Sequence, residues 1–216
     1  MQKYLIVDVD LPKPDFAAQF ATFGLTTLDC RTMTEALLGW EGWQQFNLNK
    51  TLLLFPGNGA SILKAFVPDK WLQQWPWKAN VHAKRHWIPG ERPQAVANRA
   101  FAGVLVGIQN VVILDNVVSS GETARKLRTA NLPWIPGADW HLVTRVAQKA
   151  RALKGFTSSY AVCETGTKTQ KVPINSLSTL LAEPNIATCY AERNFYEPNK
   201  FLGLLENCRK QYLRTD

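Results

Sequence analysis

The sequence predicts an α/β fold in which a central parallel sheet is flanked by helices. Two stretches carry that prediction. Thr51-Leu52-Leu53-Leu54-Phe55 and Val111-Val112-Ile113-Leu114 are short, continuous apolar runs, the pattern of strands buried on both faces. Each is followed by a glycine-containing turn and then by helix formers. Strand–turn–helix units repeated along a chain join into a parallel sheet through right-handed crossovers.

The other elements follow in order. Residues 4–9 alternate and are β-rich, which predicts a strand, and Leu11-Pro12-Lys13-Pro14 breaks it. Asp15 is placed to cap a short helix through Phe23, with Gly24 to end it. Thr32 or Thr34 caps a second helix to about Phe46, on the helical spacing of Met33, Ala36, Leu37 and Trp40. Pro56-Gly57-Asn58-Gly59 reads as a loop and residues 60–67 as a helix. Residues 70–89 hold Trp71, Trp75, Trp77 and Trp87 among Lys70, Lys78, Lys84 and Arg85, with His82 and His86. A strand is expected near 79–83, then a long loop through Ile88-Pro89-Gly90, and residues 96–106 read as partly helical or extended. Residues 115–121 are expected as a loop and 122–130 as a helix. Residues 141–146 read as a strand leading to a helical segment near Lys154, and 159–163 as a further strand. The tail after Val172 mixes short strand-like and helical pieces. With no repeat, low-complexity tract or clean linker, one domain is expected: a core over about 50–165, with 1–49 and 166–216 appended.

Composition narrows the class. A chain of 216 residues with 46% hydrophobic and 19% charged residues suits one globular domain. No apolar run reaches the roughly 20 residues of a membrane span. Asp8 and Asp10 interrupt the N-terminal apolar stretch, so no export leader is expected and the protein reads as cytoplasmic. Cys30, Cys163, Cys189 and Cys208 form no CxxC or CxxH pair, which argues against zinc and for free, mostly buried thiols. His82 and His86 lack a third ligand, so no direct metal site is expected.

The net charge of +8 is unevenly placed. Residues 1–78 hold seven Lys/Arg and seven Asp/Glu, residues 79–171 thirteen and five, and residues 172–216 five and five. The excess in the middle points to an anionic ligand such as a nucleotide, a polyphosphate or nucleic acid, or else to a plain basic surface.

The segment from Val111 to Ala124 carries the chemistry. A buried strand delivers Asp115 at its C-terminal end, where open α/β sheets bind their ligands. Val117 and Val118 lead to Ser119-Ser120-Gly121-Glu122-Thr123 and a helix start. Such a turn aims backbone N–H groups and three hydroxyls at one point, with the positive end of the helix behind them. A phosphate monoester fits there, while Asp115 accepts hydrogen bonds from a polyol. Ser119 and Glu122 also spell a capping box, which needs no ligand.

At these residues the sequence resembles the signature of the type I phosphoribosyltransferases: four apolar residues, two acids, two apolar residues, then a Ser/Thr–Ser/Thr–Gly–x–Thr loop and a helix. Asp115 matches the first acid and Asn116 replaces the second. Ser119, Ser120, Gly121 and Thr123 match the loop, with Glu122 at its variable position. The resemblance covers about residues 50–165. It implies a type I phosphoribosyltransferase-like fold with a smaller hood from the chain ends. It also implies a phosphoribosyltransferase of nucleotide metabolism, which transfers phosphoribose from phosphoribosyl pyrophosphate to a nitrogenous base and releases pyrophosphate.

In that reading Asp115 and Asn116 hold the ribose at the reacting centre, and Ser119 to Thr123 hold the 5-phosphate. Gly57, Asn58 and Gly59 hold the pyrophosphate, with Lys84 and Arg85 on a closing loop. Mg²⁺ arrives with the substrate and not on a protein site. A homodimer that uses no membrane is expected.

Two other readings stand beside it. Asn116 and Glu122 suit a catalytically weak or inactive regulatory protein of the same fold, binding a nucleotide or, less favoured, nucleic acid through the basic, Trp-containing stretch. A Rossmann-type enzyme on Gly57-x-Gly59 is disfavoured, because Ile62 stands where the third glycine belongs.

Overall fold

The computed structural model describes residues 3–9, 15–81, 107–131, 135–166 and 174–212. In chain order its elements are β1 (Lys3–Val7), α1 (Asp15–Thr22), β2 (Leu25–Asp29), α2 (Cys30–Leu38), β3 (Thr51–Pro56), α3 (Gly57–Phe66), α4 (Asp69–Gln73), β4 (Trp77–Val81), β5 (Asn110–Val118), α5 (Glu122–Asn131), β6 (Asp139–Ala147), β7 (Ser158–Glu164), β8 (Ile174–Ser176), α6 (Leu177–Ala182), α7 (Pro184–Asn194) and α8 (Pro198–Tyr212). They fall into two compact units: a chain-end unit of residues 1–31 with 172–216, and a central unit of residues 32–171.

The central unit is built on a five-stranded sheet in the order β4-β3-β5-β6-β7, with every pairing parallel. Every residue of β3 is buried, as its unbroken apolar run requires. Side chains alternate along a strand, so the two faces have separate cores. On one face Ala60 and Leu63 of α3 pack with Leu53, Phe55, Val112 and Leu114. On the other, Ala124 and Leu127 of α5 pack with Leu52, Leu54, Val111 and Ile113. A parallel sheet with helices on both faces is what the sequence led us to expect.

The first face also carries an aromatic cluster. Trp43 lies 5.1 Å from Trp71 and 5.5 Å from Trp75, and Trp40 stacks on Tyr160 at 4.8 Å. The Trp77 indole donates to the Asn49 carbonyl at 2.9 Å. These tryptophans of the basic stretch are therefore engaged in packing and hydrogen bonding within the unit. Trp87, His82 and His86 lie outside the described residues, as do 96–106.

Several boundaries differ from the sequence reading, each for a physical reason. β5 continues to Val118 instead of ending at Leu114, because β6 extends far enough to pair with it up to Val118↔Ala147. Residues 115–118 are therefore strand, not loop. No loop separates β3 from α3, since Pro56 closes the strand and Gly57 opens the helix. α2 stops at Leu38 and a 3₁₀ turn at Glu41–Gln45 follows. A side chain at Gly42 would meet the Trp40 ring 2.1 Å away. The segment after β6 is a 3₁₀ turn, Ala150–Leu153, not an α-helix.

The chain-end unit has its own parallel sheet, β2-β1-β8, covered by a core of Leu5, Phe16, Phe20, Leu177, Tyr190 and Phe201. β2 had no strong signal: its five residues, Leu-Thr-Thr-Leu-Asp, are mostly half-exposed, and the register with β1 holds them. The cysteines are free, but only Cys30 and Cys208 are buried; Cys163 is half-buried and Cys189 exposed. Among the described residues no helix is long and apolar enough to cross a membrane.

Candidate functional site

β3 leads through α3 to β4 on one side of it, whereas β5 lies on its other side. The direction of winding therefore reverses between β3 and β5. Doubly wound sheets open a ligand crevice at the carboxyl ends of such a strand pair. The two segments singled out in the sequence, Gly57 to Gly59 and Asp115 to Thr123, end these two strands.

Their mutual position follows from the register. Leu54 pairs with Ile113. Carried two residues on, that register sets Pro56 level with Asp115, one strand spacing of about 4.8 Å away. α3 then rises on one face of the sheet and α5 on the other. Two ten-residue helices thus present their N-terminal ends to one crevice from opposite sides. Each end carries unpaired N–H groups and roughly half a positive charge.

The turn after β5 is tight. Gly121 has φ 73°, a left-handed conformation that other residues adopt only at a cost. A Cβ on it would stand 2.1 Å from the Ala152 carbonyl oxygen, so glycine is required on two independent grounds. The Gly121 carbonyl accepts from Arg125 N at 3.0 Å, which starts the helix. Arg125 Nη2 donates to the Ser120 carbonyl at 2.7 Å and clamps the loop from one turn above. Ser120 and Thr123 are exposed and Ser119 half-buried, so their hydroxyls are open to a ligand.

The expected capping box does not form as spelled. Ser120 Oγ accepts from Glu122 N at 3.3 Å, while the Glu122 carboxylate pairs with Lys126. Lys126 holds that carboxyl below the usual carboxylate range, and the pair turns the charge of Glu122 toward its own helix.

Asp115 and Asn116 part company. Strand side chains alternate, and Asp115 is half-buried whereas Asn116 is only 4% exposed. One Asp115 carboxylate oxygen accepts from Asn116 N at 2.7 Å. The Asn116 Oδ1 is enclosed with no hydrogen-bond partner among the described residues. Its backbone carbonyl accepts from Thr144 Oγ1 at 3.2 Å. Arg145 is fully buried on β6, donates to Thr34 Oγ1 at 3.2 Å and lies 5.4 Å from the Phe66 ring centre.

Gly57 has φ 63°, so the strand-to-helix turn of β3 also depends on a glycine. Lys84 and Arg85 lie outside the described residues. Sequence reasoning missed Arg125, because an arginine in a basic helix carries no local sign that it reaches back to its own loop.

Magnesium demands oxygen ligands in near-octahedral geometry and keeps several waters. The described residues contain no cluster of three His, Cys, Asp or Glu. Among the described residues Asp115 is the carboxylate that borders the crevice, since Glu122 is held by Lys126. The residues therefore fit magnesium only as a companion of a ligand that brings most of the oxygens.

Neither a family model nor a curated protein matches the sequence. Among solved structures the chain is similar to a xanthine-guanine-hypoxanthine phosphoribosyltransferase from Helicobacter pylori, with 10% identity, a TM-score of 0.46, and 72% of this chain and 92% of that chain covered. It is similar to a purine phosphoribosyltransferase from Pyrococcus horikoshii at 13% identity and a TM-score of 0.40, with 67% and 90% covered. It is also similar to a hypothetical protein from Neisseria gonorrhoeae with bound ppGpp, at 13% identity and a TM-score of 0.47, with 96% and 98% covered.

Proposed function

We propose that the central unit binds phosphoribosyl pyrophosphate in the crevice between β3 and β5 and transfers its phosphoribosyl group to a nitrogenous base. One observation carries this reading. Two glycine-dependent turns, each opening a helix N-terminus, stand on either side of a winding reversal with a carboxylate between them. A ligand that suits this arrangement has an anionic group at each end and hydroxyls in the middle. Phosphoribosyl pyrophosphate has that layout.

In the proposal Ser119, Ser120, Gly121, Glu122 N–H and Thr123 hold the 5-phosphate. Asp115 accepts hydrogen bonds from the ribose hydroxyls. Gly57, Asn58 and Gly59 approach the pyrophosphate through their backbone, with Lys84 and Arg85 supplying charge. Magnesium, bound with the pyrophosphate, would neutralise the leaving group. The protein's own part is to orient the ribose and to set fixed dipoles where charge develops.

A second reading has one observation in its favour. Asn116 is neutral and enclosed where the resembled family has a second acid. A site with one carboxylate retains binding while losing electrostatic stabilisation of the reacting carbon. The same site then serves a nucleotide-binding regulatory protein.

Calorimetric titration of phosphoribosyl pyrophosphate with Mg²⁺ into the wild type and into Asp115→Ala separates these. Binding in the micromolar range that the substitution abolishes supports the site, and pyrophosphate release with any base in a purine and pyrimidine panel supports transfer. Binding without release favours the regulatory reading. Absence of binding by the wild type sinks the transferase reading.

A further inference from the structure

We infer that the surface formed by α5 and the 3₁₀ turn after β6 docks the phosphate backbone of nucleic acid. α5 carries Arg125, Lys126 and Arg128, and the turn and its flanks carry Lys149, Arg151 and Lys154. Against these six cations, residues 122–131 and 149–155 contain one acid, Glu122, already paired with Lys126.

The two segments form one surface. Arg128 Nη1 donates to the Gly155 carbonyl. The Ala152 carbonyl packs against Gly121, and a Cβ on Gly155 would touch the Arg125 side chain at 3.6 Å. Ala124, Leu127 and Ala152 turn inward into one core cluster. The cations are thereby left on the outer side. Arg151 and Lys154 are exposed, and neither side chain has a hydrogen bond or ion pair among the described residues.

The kind of partner follows from what the surface has and lacks. Arg151 presents a planar fork, unengaged among the described residues, that suits phosphate oxygens, whereas Arg125 and Arg128 already donate to the Ser120 and Gly155 carbonyls. The exposed large hydrophobic residues among those described are Leu48, Ile186 and Tyr196, and none belongs to this surface. A lipid surface calls for an apolar face to insert, and a protein partner for an aromatic or aliphatic anchor. A nucleic-acid backbone calls for cations alone, and its binding is driven by counterion release. The inference does not rest on the proposed function, since Arg151 and Lys154 have no part in the ribose-phosphate site.

The test is fluorescence anisotropy of a labelled single-stranded DNA oligonucleotide between about 50 and 200 mM salt. The wild type should bind with a logarithmic affinity that falls linearly with the logarithm of salt. Arg151→Glu with Lys154→Glu should weaken binding about tenfold or more at the lowest salt. It should also make the slope shallower by about 1.4, from two lost contacts at roughly 0.7 each on a single strand. Arg151→Lys should keep affinity within about threefold, because the charge is retained. The double variant should leave the unfolding midpoint and the binding of phosphoribosyl pyrophosphate unchanged. The inference fails if the wild type does not bind, or if the double variant binds as well as the wild type. It also fails if phosphatidylserine vesicles are bound more tightly than the oligonucleotide at equal salt.

Discussion

The two units are both parallel sheets with a carboxylate toward the carboxyl end of a strand, yet they treat that carboxylate differently. In the chain-end unit Asp8, just past β1, accepts from Ser178 N at 2.8 Å and from Ser178 Oγ at 2.5 Å, and so ties β1 to the start of α6. In the central unit Asp115 accepts from its neighbour's N–H and borders a crevice flanked by two helix N-termini. The charges divide in the same way. The chain-end unit has eight Lys/Arg and nine Asp/Glu, and the central unit seventeen and eight. A strand acid is therefore structural where a partner segment caps it, and a candidate for function where it borders a crevice with helix N-termini on both sides.

The sharpest way to break this contrast is at the glycines. Gly121→Ala should cost about 2–4 kcal/mol, from a left-handed backbone and a collision with the Ala152 carbonyl, and should abolish phosphoribosyl pyrophosphate binding. Unfolding curves and calorimetry would read both effects. Asp8→Ala should cost about 1–3 kcal/mol by leaving the Ser178 donors unpaired. Titration should show ligand binding unchanged, and a loss there would mean that the two carboxylates do not differ as argued.

The pH response should differ as well. His141 is 4% exposed, flanked by Ser158 Oγ at 2.8 Å and Asn110 Oδ1 at 3.1 Å, and burial pushes its pKa below the ordinary 6.5. Its contribution is fully present above that value and is lost as pH falls below it, because the unfolded chain takes up the proton more readily. In the chain-end unit burial raises Tyr190 from 10.0 to about 12 and Cys208 from 9.0 to about 11. Their contribution is present below pH 9 and is lost as pH rises through 9–10 toward those values, since the unfolded chain deprotonates first. All eight tryptophans lie in the central unit. Tryptophan fluorescence in urea should thus weaken first on acidification, and tyrosine absorbance and far-UV dichroism on alkalinisation. The smallest expected effect is Gly203→Ala in α8, where an added Cβ meets nothing within 4 Å. It should stabilise by about 0.5–1 kcal/mol in thermal melts.

The sequence showed most where chemistry is local. The apolar runs of β3 and β5 announced themselves because strands buried on both faces need no alternation. The Ser-Ser-Gly-x-Thr turn did so because its backbone geometry demands glycine. What stayed hidden depends on distant partners. The continuation of β5 through Asp-Asn-Val-Val reads as a turn until β6 supplies a pairing edge. β2 and β8 are short and weakly patterned, and they exist because β1 lies between them. The burial of Asn116 next to a half-buried Asp115 follows from the pleat, which a reading of residues 115–118 as loop removes from view.

The pairing of β1 with β8 sets Tyr4 beside Ile174, so the chain-end unit joins residues that lie on either side of the central unit in the sequence. The central unit, by contrast, is one unbroken stretch of chain. During synthesis the central unit can form its sheet and its crevice while the opening strand still waits for its partner. Domains tend to fold in the order in which they emerge, and contacts distant in sequence close slowly. A nascent chain whose residues up to 171 have cleared the ribosome would thus display the central unit's sheet and no completed chain-end sheet.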